Sequence, residues 1–357
     1  MFRARNDLTI GIPCLLIDGA EAALCVALES VTEDRFSGLC AALGAPELVI
    51  SDHRARAVMT AAAAVDLGQG PVRITPPADA DFSWYQRLVD PKHDDKTVPS
   101  NPLHVLRVGE TVLHLAGMRL VKSAQLIPAF ALFHVDQTDP SLEGLGLVHL
   151  EADDISSVLS DEPSLTPVSA AHLPLETSSM SQLHVFREPD GQREHYAVEI
   201  GAPRRDVPVL ARLHSACFTG DVLGSLKCDC GAQLQTALAL MGEEGAGMLL
   251  YLNQEGRGIG LANKMRVYDL QSLGFDTVEA NHQLGFEDDE RDFRLAATML
   301  KALGFAGVRL LTNNPGKVDR LNESGIVVTE RLPLRVGQTA QNENYLAVKA
   351  RKSGHLL

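Results

Sequence analysis

The chain has 357 residues, more than one hydrophobic core usually serves, so we expect two domains. A hydrophobic fraction of 45% with 22% charged residues is typical of a soluble globular protein, and a net charge of −14 argues against non-specific nucleic-acid binding. No stretch approaches the roughly 18 apolar residues of a membrane span, and the first residues lack the apolar core of a signal peptide. The six cysteines do not form a secreted disulfide pattern, so we expect a cytoplasmic protein. From the charge and the lack of an apolar span, we expect it to bind neither nucleic acid nor membrane.

The first 160 residues alternate short apolar runs with amphipathic ones, which predicts an α/β domain. We expect strands at residues 12–17, 22–28, 48–50 and 127–135. Helices are expected at 33–43 and 111–121, and an alanine-rich helix is expected to follow the strand at 48–50 and to end at Leu67. The charged, proline-bearing stretch 90–102 predicts a loop. The histidines of this half are single and lack metal-ligand spacing, so we interpret them as surface or core residues: His53, His93, His104, His114 and His134.

Residues 160–172 are rich in Ser, Pro and Ala without periodicity, which predicts a domain boundary. We therefore expect domains at 1–160 and 173–357, joined by a linker at 161–172. In the second domain we expect a small antiparallel unit with strands at 184–186 and 195–200. Further strands are predicted at 207–214, 248–252, 308–312 and 326–329, and helices from Gln233, at 261–273 and at 290–303. Strand–loop–helix repeats with glycine-bearing loops predict an α/β fold with functional groups at the strand ends.

Three cysteines, Cys217, Cys228 and Cys230, are spaced C-x10-C-x-C. Three thiolates without a nearby fourth ligand are typical of a zinc site that keeps one position open. Such a metal makes an activated water available for attack on carbon. Two alternatives stay open: a structural zinc closed by His214 or His282, or three ordinary cysteines.

Two glycine-bearing turns follow predicted strands. They are residues 254–260 (QEGRGIG) and 312–317 (TNNPGK). Their amides could hold phosphate at a helix N-terminus, and with Lys264 and Arg266 they suggest an oligophosphate; two ordinary turns are the alternative. The acidic run 288–292 is expected at a helix start, where carboxylates commonly act as caps, although it could instead orient Arg291.

In combination, the segments RLHSACFTGDVLGSLKCDCG, YLNQEGRGIGLANKMRVYDLQ, DTVEANHQLGFEDDERDF and LLTNNPGKV resemble GTP cyclohydrolase II over residues 173–357. The resemblance implies hydrolysis of GTP to 2,5-diamino-6-(5-phosphoribosylamino)pyrimidin-4-one, with release of formate and pyrophosphate, as the first step of riboflavin biosynthesis. It further implies a homodimer, one zinc ion per subunit and a magnesium ion on the triphosphate.

The same resemblance assigns roles to residues. Zinc would be bound by Cys217, Cys228 and Cys230. Asp289 would be the proton acceptor, Arg291 the nucleophile toward the α-phosphate, and Tyr268 the active-site tyrosine. The GTP site would be formed by Arg212, Leu213, His214, Ser215, Ala216, Gln233, Glu255, Gly256, Arg257, Thr277, Thr312 and Lys317.

One position departs from the family pattern, because Ala216 stands where many members have Glu. Three alternatives stay open: an enzyme that retains the formyl group, one that releases only pyrophosphate, or a GTP-sensing regulator.

The N-terminal half is similar to dihydroxybutanone phosphate synthase in its opening segment and in ETVLHLAGMRLVKSAQLIPAFALFHV. The acidic loop is reduced to Asp18-Gly19-Ala20-Glu21, and the later site is Val108-Gly109-Glu110-Thr111 without His. We therefore expect a degenerate, non-catalytic domain.

Overall fold

The computed structural model describes residues 1–59, 67–68, 70–94, 103–106, 112–139, 142, 144–160, 162–352, 354 and 356. The chain forms two compact units: Met1–Asp161 with Met265–Asp289, and Glu162–Lys264 with Glu290–Leu357. No helix in the described ranges is both long and apolar enough to cross a membrane.

The strands, in chain order, are β1 Cys14–Asp18, β2 Glu21–Ala27, β3 Glu47–Ile50, β4 Val72–Thr75, β5 His104–Leu106, β6 Ala129–Val135, β7 His149–Glu151, β8 Thr166–His172, β9 Ser181–Arg187, β10 Glu194–Gly201, β11 Val209–Ser215, β12 Ala246–Leu252, β13 Gly307–Leu311 and β14 Val327–Leu332. The α-helices are α1 Phe2–Thr9, α2 Glu33–Leu43, α3 Asp52–Val58, α4 Phe82–Val89, α5 Val112–Ser123, α6 Ala152–Ser160, α7 Phe218–Asp221, α8 Cys230–Glu244, α9 Gly260–Ser272, α10 Thr277–Leu284, α11 Arg294–Ala302, α12 Pro315–Glu323 and α13 Glu343–Lys352. Short 3-10 turns lie at Pro91–His93 and Glu255–Gly258.

The first unit is built on a seven-stranded sheet in the order β5-β4-β3-β6-β2-β1-β7. Among the described strands of this sheet, the β1–β7 pair is parallel and the other neighbours are antiparallel. The helices cover its apolar faces, and Leu16, Phe130 and Leu120 are fully buried in the resulting core. The α/β prediction is confirmed for this half. Helix α1 was not predicted. Parts of the alanine-rich stretch and of the loop at 90–102, and all of residues 108–111, lie outside the described residues.

The segment Met265–Asp289 belongs to the first unit, although it lies within the second predicted domain. Helix α10 packs against α3, and Gly285 approaches so closely that a Cβ there would lie 2.6 Å from Ser51 Oγ. Arg54 is fully buried at this contact and donates to both carboxylate oxygens of Asp94 and to the carbonyl of Gln283. Apolar periodicity marks which face of a helix is buried but not its packing partner, so sequence reasoning missed this packing.

The second unit is built on another seven-stranded sheet, in the order β14-β13-β11-β12-β10-β9-β8. Strands β14, β13, β11 and β12 are parallel, whereas β12, β10, β9 and β8 pair antiparallel. The predicted antiparallel unit is therefore continuous with the parallel part. Ala211, Leu213 and Leu310 lie in the core on this sheet, which confirms the α/β prediction here also.

Two local predictions need correction. Residues 166–172, predicted as linker, form edge strand β8, which pairs with β9 and is exposed along its whole length. With no buried face it has no apolar alternation to reveal it. The helix predicted at 290–303 begins only at Arg294, so the acidic run lies in the preceding loop. Asp292 accepts a hydrogen bond from the Arg294 amide at 2.9 Å, as a carboxylate ahead of a helix does.

Candidate active site

Three loops of the second unit leave the carboxyl ends of parallel strands that are neighbours in the sheet. The cysteine segment follows β11, the Gln254–Gly260 turn follows β12, and the Thr312–Lys317 turn follows β13. The carboxyl ends of parallel strands meet at one edge, which is where α/β sheets bind ligands. The sheet therefore brings together the motifs that were far apart in sequence.

The three cysteines converge into one cluster. Their sulfur atoms lie within 4.8 Å of one another, and Cys217 Sγ is 3.7 Å from Cys228 Sγ. Tetrahedral ligands with a Zn–S distance of about 2.3 Å lie about 3.8 Å apart, so the donor set fits zinc. Gly220 makes room for it, because a Cβ there would lie 2.8 Å from Cys228 Sγ and 3.1 Å from Cys217 Sγ.

The thiols influence one another's ionisation. Hydrogen bonds from the Cys228 and Cys230 thiols, followed by the Lys264 charge, lower the pKa of Cys217 far below its usual range. The Cys217 contact in turn raises the pKa of Cys228. Cys217 is thus the thiolate that the surrounding residues stabilise most, which suits a metal ligand.

Asp221 fixes the turn that carries Cys217. Its carboxylate accepts hydrogen bonds from the Cys217 amide at 3.0 Å and from the Tyr251 hydroxyl at 2.9 Å. It also shares one with His214 Nε2 at 3.0 Å. Neither Asp221 nor Tyr251 was singled out from sequence, because nothing local in either segment marks the contact. His214, predicted in the GTP site, contacts Asp221 through Nε2 and is not among the residues grouped with the cysteines as potential metal ligands in the described part of the chain.

Glu255 connects the second loop to the cysteine segment. Its carboxylate accepts from the Phe218 amide at 2.6 Å and from Lys264 Nζ at 2.8 Å. Lys264 also donates to Cys217 Sγ at 3.2 Å and to Thr219 Oγ1 at 3.0 Å. Lys264 is therefore committed to the cysteine cluster, and the expectation that it helps bind an oligophosphate is not supported by these contacts.

Arg212 and Gln233 form a buried polar chain beneath the loops. Arg212 donates to the Leu311 carbonyl at 3.0 Å and to Gln233 Oε1, and Gln233 donates to Asp229. Burial lowers the pKa of Arg212 to about 10, so it remains a cation at neutral pH. Leu213 points into the core and offers only its carbonyl, which accepts from Lys317 Nζ at 2.8 Å.

Two cations share one aromatic ring at this edge. The Arg291 guanidinium lies 4.9 Å from the centroid of Phe293, and Lys317 Nζ lies 5.0 Å from it. Arg291 also donates to Ser215 Oγ at 3.3 Å. The helix after Thr312 begins with Asn314 as its cap, which accepts from the Gly316 amide. The edge therefore gathers positive charge suited to an anionic ligand.

The Gln254–Gly260 turn has a strained backbone. Arg257, a non-glycine residue, has a φ of 61°, beside Gly256 at 63°. The Arg257 carbonyl accepts from the Glu290 amide at 2.9 Å, and a Cβ on Gly258 would lie 2.7 Å from the Glu290 backbone. Such strain is concentrated at functional sites, because the surrounding structure must hold it in place.

Three buried polar atoms near these loops have no hydrogen-bond partner in the described part of the chain. They are Arg212 Nε, His214 Nδ1 and Gln254 Oε1. Buried polar atoms nearly always have a hydrogen-bond partner, so each of these three calls for an explanation.

Ala216 offers no side-chain hydrogen bond at this edge. Its amide donates to the Leu252 carbonyl at 2.8 Å, and its side chain is a methyl group.

Three predicted site residues lie in the first unit. Thr277 accepts a hydrogen bond from Gln271 at 2.9 Å at the start of α10, Tyr268 is half-buried on α9, and Asp289 is exposed at the end of the segment Met265–Asp289. Arg266, expected to help bind phosphate, instead forms an ion pair with Glu29 at 2.8 Å.

Another group of potential metal ligands lies in the first unit. Glu47, His114 and His134 place one ligand atom each within 4.8 Å of one another, although sequence spacing suggested isolated histidines. Arg73 donates to both oxygens of Glu47, at 2.7 and 2.9 Å. A cation already occupies this carboxylate, so we interpret the group as an ion-pair network.

The fold and site together define a class: an α/β protein with a three-cysteine cluster and buried cations at the carboxyl edge of a parallel sheet. The family model of GTP cyclohydrolase II matches residues 166–333. The GTP cyclohydrolase-2 of Azospirillum brasilense is 40% identical over 345 residues, which cover 95% of this chain and 88% of that protein. The chain therefore belongs to the GTP cyclohydrolase II family and is an enzyme of that family.

Other relatives match about half of the chain. The GTP cyclohydrolase-2 proteins of Yersinia pestis and Pectobacterium atrosepticum are 58% and 60% identical over 172 residues, 48% of this chain. These matches cover 88% and 87% of the two relatives, so little of either remains to correspond to the rest of this chain. A solved two-domain 3,4-dihydroxy-2-butanone 4-phosphate synthase from A. baumannii covers 92% of this chain and 98% of its own, with a TM-score of 0.34 and 16% identity. That likeness is too distant to bear on either unit.

Proposed function

We propose that this chain is a zinc-dependent GTP cyclohydrolase II that converts GTP to 2,5-diamino-6-(5-phosphoribosylamino)pyrimidin-4-one, formate and pyrophosphate. The observation that carries the proposal is the convergence of three thiolates within 4.8 Å at a sheet edge that also bears Arg291 and Lys317. Zinc held by Cys217, Cys228 and Cys230 would supply an activated water for opening the guanine ring. Membership in the family supports GTP as the substrate.

The chain's own residues suit an anionic nucleotide. Arg291 and Lys317 present positive charge toward phosphate, and the proposed Mg²⁺ would neutralise the departing pyrophosphate. A bound purine would supply partners for the unsatisfied Arg212 Nε, His214 Nδ1 and Gln254 Oε1. By family resemblance, Arg291 acts as nucleophile toward the α-phosphate, Asp289 accepts a proton and Tyr268 completes the set.

The remaining GTP contacts are proposed on the same basis. They are Arg212, Leu213, His214, Ser215, Ala216, Gln233, Glu255, Gly256, Arg257, Thr277, Thr312 and Lys317. A homodimer in the cytoplasm, and a non-catalytic N-terminal domain at 1–160 followed by a catalytic one at 173–357, complete the proposal.

The test is product analysis on the purified full-length enzyme with GTP and Mg²⁺. Cys228→Ser is expected to lose bound zinc and abolish formate release, because two thiolates hold zinc poorly. Arg291→Ala is expected to block pyrophosphate release while retaining zinc. Lys301→Ala, an exposed lysine on α11, is the matched control and should behave as the unchanged protein. Formate release at the normal rate by protein shown to lack zinc would contradict the metal assignment.

The alanine at position 216 supports a second candidate product. Ala216 lacks the Glu side chain of many family members, and its amide is used by the Leu252 carbonyl. A missing contact beside the ring-opening centre could leave the formyl group on the product or stop the reaction at pyrophosphate release. Mass spectrometry of the product separates these cases from complete turnover, and bound but unconverted GTP would favour a sensor.

A further inference from the structure

Lys264 lies under the cysteine cluster and not in open solvent. Lys264 is 8% exposed, and three of the acceptors of its ammonium lie within the second unit. They are Cys217 Sγ at 3.2 Å, Thr219 Oγ1 at 3.0 Å and Glu255 Oε1 at 2.8 Å. An ammonium has three protons to donate, so each of these acceptors can receive one of them.

The acceptors come from two different loops. Cys217 and Thr219 belong to the segment after β11, and Glu255 begins the turn after β12. Glu255 returns to the first loop by accepting from the Phe218 amide at 2.6 Å. Lys264 and Glu255 therefore connect two loops by hydrogen bonds. One loop is the turn after β12, which carries part of the proposed GTP site, and the other carries Cys217.

Charge explains why a cation is placed here. Three thiolates around one Zn²⁺ leave a net charge of about −1, which is costly to bury without compensation. An ammonium within hydrogen-bond distance of one sulfur offsets that charge directly. Partners of this kind, which contact a metal ligand and not the metal, commonly control affinity by 10- to 100-fold.

We propose that Lys264 is a positioning residue for the zinc site: its ammonium holds the Cys217 thiolate for the metal and fixes Glu255 beside it. This inference rests on the proposed function for the identity of the metal. It assigns Lys264 no contact with GTP, and it predicts that the residue acts through Cys217.

The experiment measures zinc affinity of the full-length enzyme by competition with a chromophoric chelator. Lys264→Met, which keeps an unbranched side chain one atom shorter and removes the charge, is expected to weaken zinc binding about 10- to 100-fold. Lys264→Arg keeps the charge and should recover part of the loss. Lys301→Met, on the exposed surface, should bind zinc normally.

A spectroscopic readout distinguishes this role from a general packing defect. In the Co²⁺-substituted enzyme, the sulfur-to-metal charge-transfer band should move to longer wavelength in Lys264→Met, because the thiolate loses a neighbouring cation. Unchanged zinc affinity and an unshifted band in Lys264→Met would overturn the inference. If instead Cys228→Ser binds zinc as tightly as the unchanged enzyme, the proposed metal site itself is wrong.

Discussion

The cysteine cluster depends on single residues, and some of them are not among the three cysteines. The spacing of Cys217, Cys228 and Cys230 predicted a metal site from sequence, with three ordinary cysteines left open as an alternative. Gly220, Asp221 and Lys264 complete it, but their roles depend on contacts made only after folding. Lys264 is 47 residues from Cys217 in the chain, so no local pattern could reveal its donation to Cys217 Sγ.

Gly220→Ala is expected to weaken zinc binding by about 10-fold or more, as disturbance close to a metal ligand commonly does. The new Cβ would lie 2.8 Å from Cys228 Sγ and 3.0 Å from Cys230 Cβ, so the cluster must shift. Chelator competition measures the change. Gly38→Ala is the matched control, because a Cβ there meets nothing within 4 Å. Normal zinc affinity in Gly220→Ala would show that the cysteines can rearrange freely.

At the scale of elements, several strands with a buried face were predicted, although β4 was missed, and contacts between elements were not predicted. Strand β11 and the neighbouring β12 and β13 lie close to their predicted bounds, because their apolar runs are buried in the sheet. Strand β8 is exposed on both faces and is held by its hydrogen bonds to β9, so its sequence carries no such signal. Likewise, nothing in the sequence indicated that β3, β4, β6 and α5 bring their side chains together around Glu47.

The Glu47 network predicts a specific dependence of stability on pH. Burial alone raises the pKa of Glu47, but hydrogen bonds from His114, His134 and Arg73 outweigh it and hold the pKa well below its usual range. The hydrogen bond to Glu47 raises the pKa of His134. The Glu47 contribution is thus present above about pH 4.5 and lost as pH falls further, whereas that of His134 is present below about pH 6.5 and lost as pH rises through its raised pKa.

Glu47→Gln is therefore expected to lower the free energy of unfolding of the first unit by about 1–3 kcal/mol at pH 6, because Arg73 loses its carboxylate. It should also reduce the loss of stability between pH 6 and pH 9, since His134 no longer has a raised pKa. Urea unfolding followed by the fluorescence of Trp84, the single tryptophan, reports on this unit. Exposed Glu151→Gln is the control. An unchanged pH dependence in Glu47→Gln would exclude this network as its source.

At the scale of the whole molecule, the two units divide the proposed catalytic residues between them. The cysteines, Arg291 and Lys317 belong to the second unit, whereas Tyr268, Thr277 and Asp289 lie in the segment that packs with the first. Two relatives of about half this length match 48% of this chain, so they are too short to contain counterparts of both units. In this chain, the N-terminal half supplies a partner for that segment.

A chain reduced to residues 162–357 should therefore separate metal binding from turnover. It is expected to retain zinc, because the cysteines and their contacts with Asp221 and Lys264 lie within the second unit. Helix α10 would lose its packing against α3 and expose Val278, Ala280 and Leu284, which are now buried. Exposing such side chains costs about 1.5–3 kcal/mol for each of the larger ones, so the segment carrying Asp289 should become less ordered.

The measurements are zinc affinity, GTP turnover and hydrogen exchange of residues 277–284, each compared with the full-length enzyme. We expect unchanged zinc affinity and faster exchange in α10. Turnover should fall at least about tenfold, which corresponds to a rise of about 1.4 kcal/mol in the activation barrier. Full turnover with slow exchange would mean that the segment holds its structure without the N-terminal half. Loss of zinc as well would place part of the metal site's support in the first unit, contrary to the contacts of the cysteine cluster.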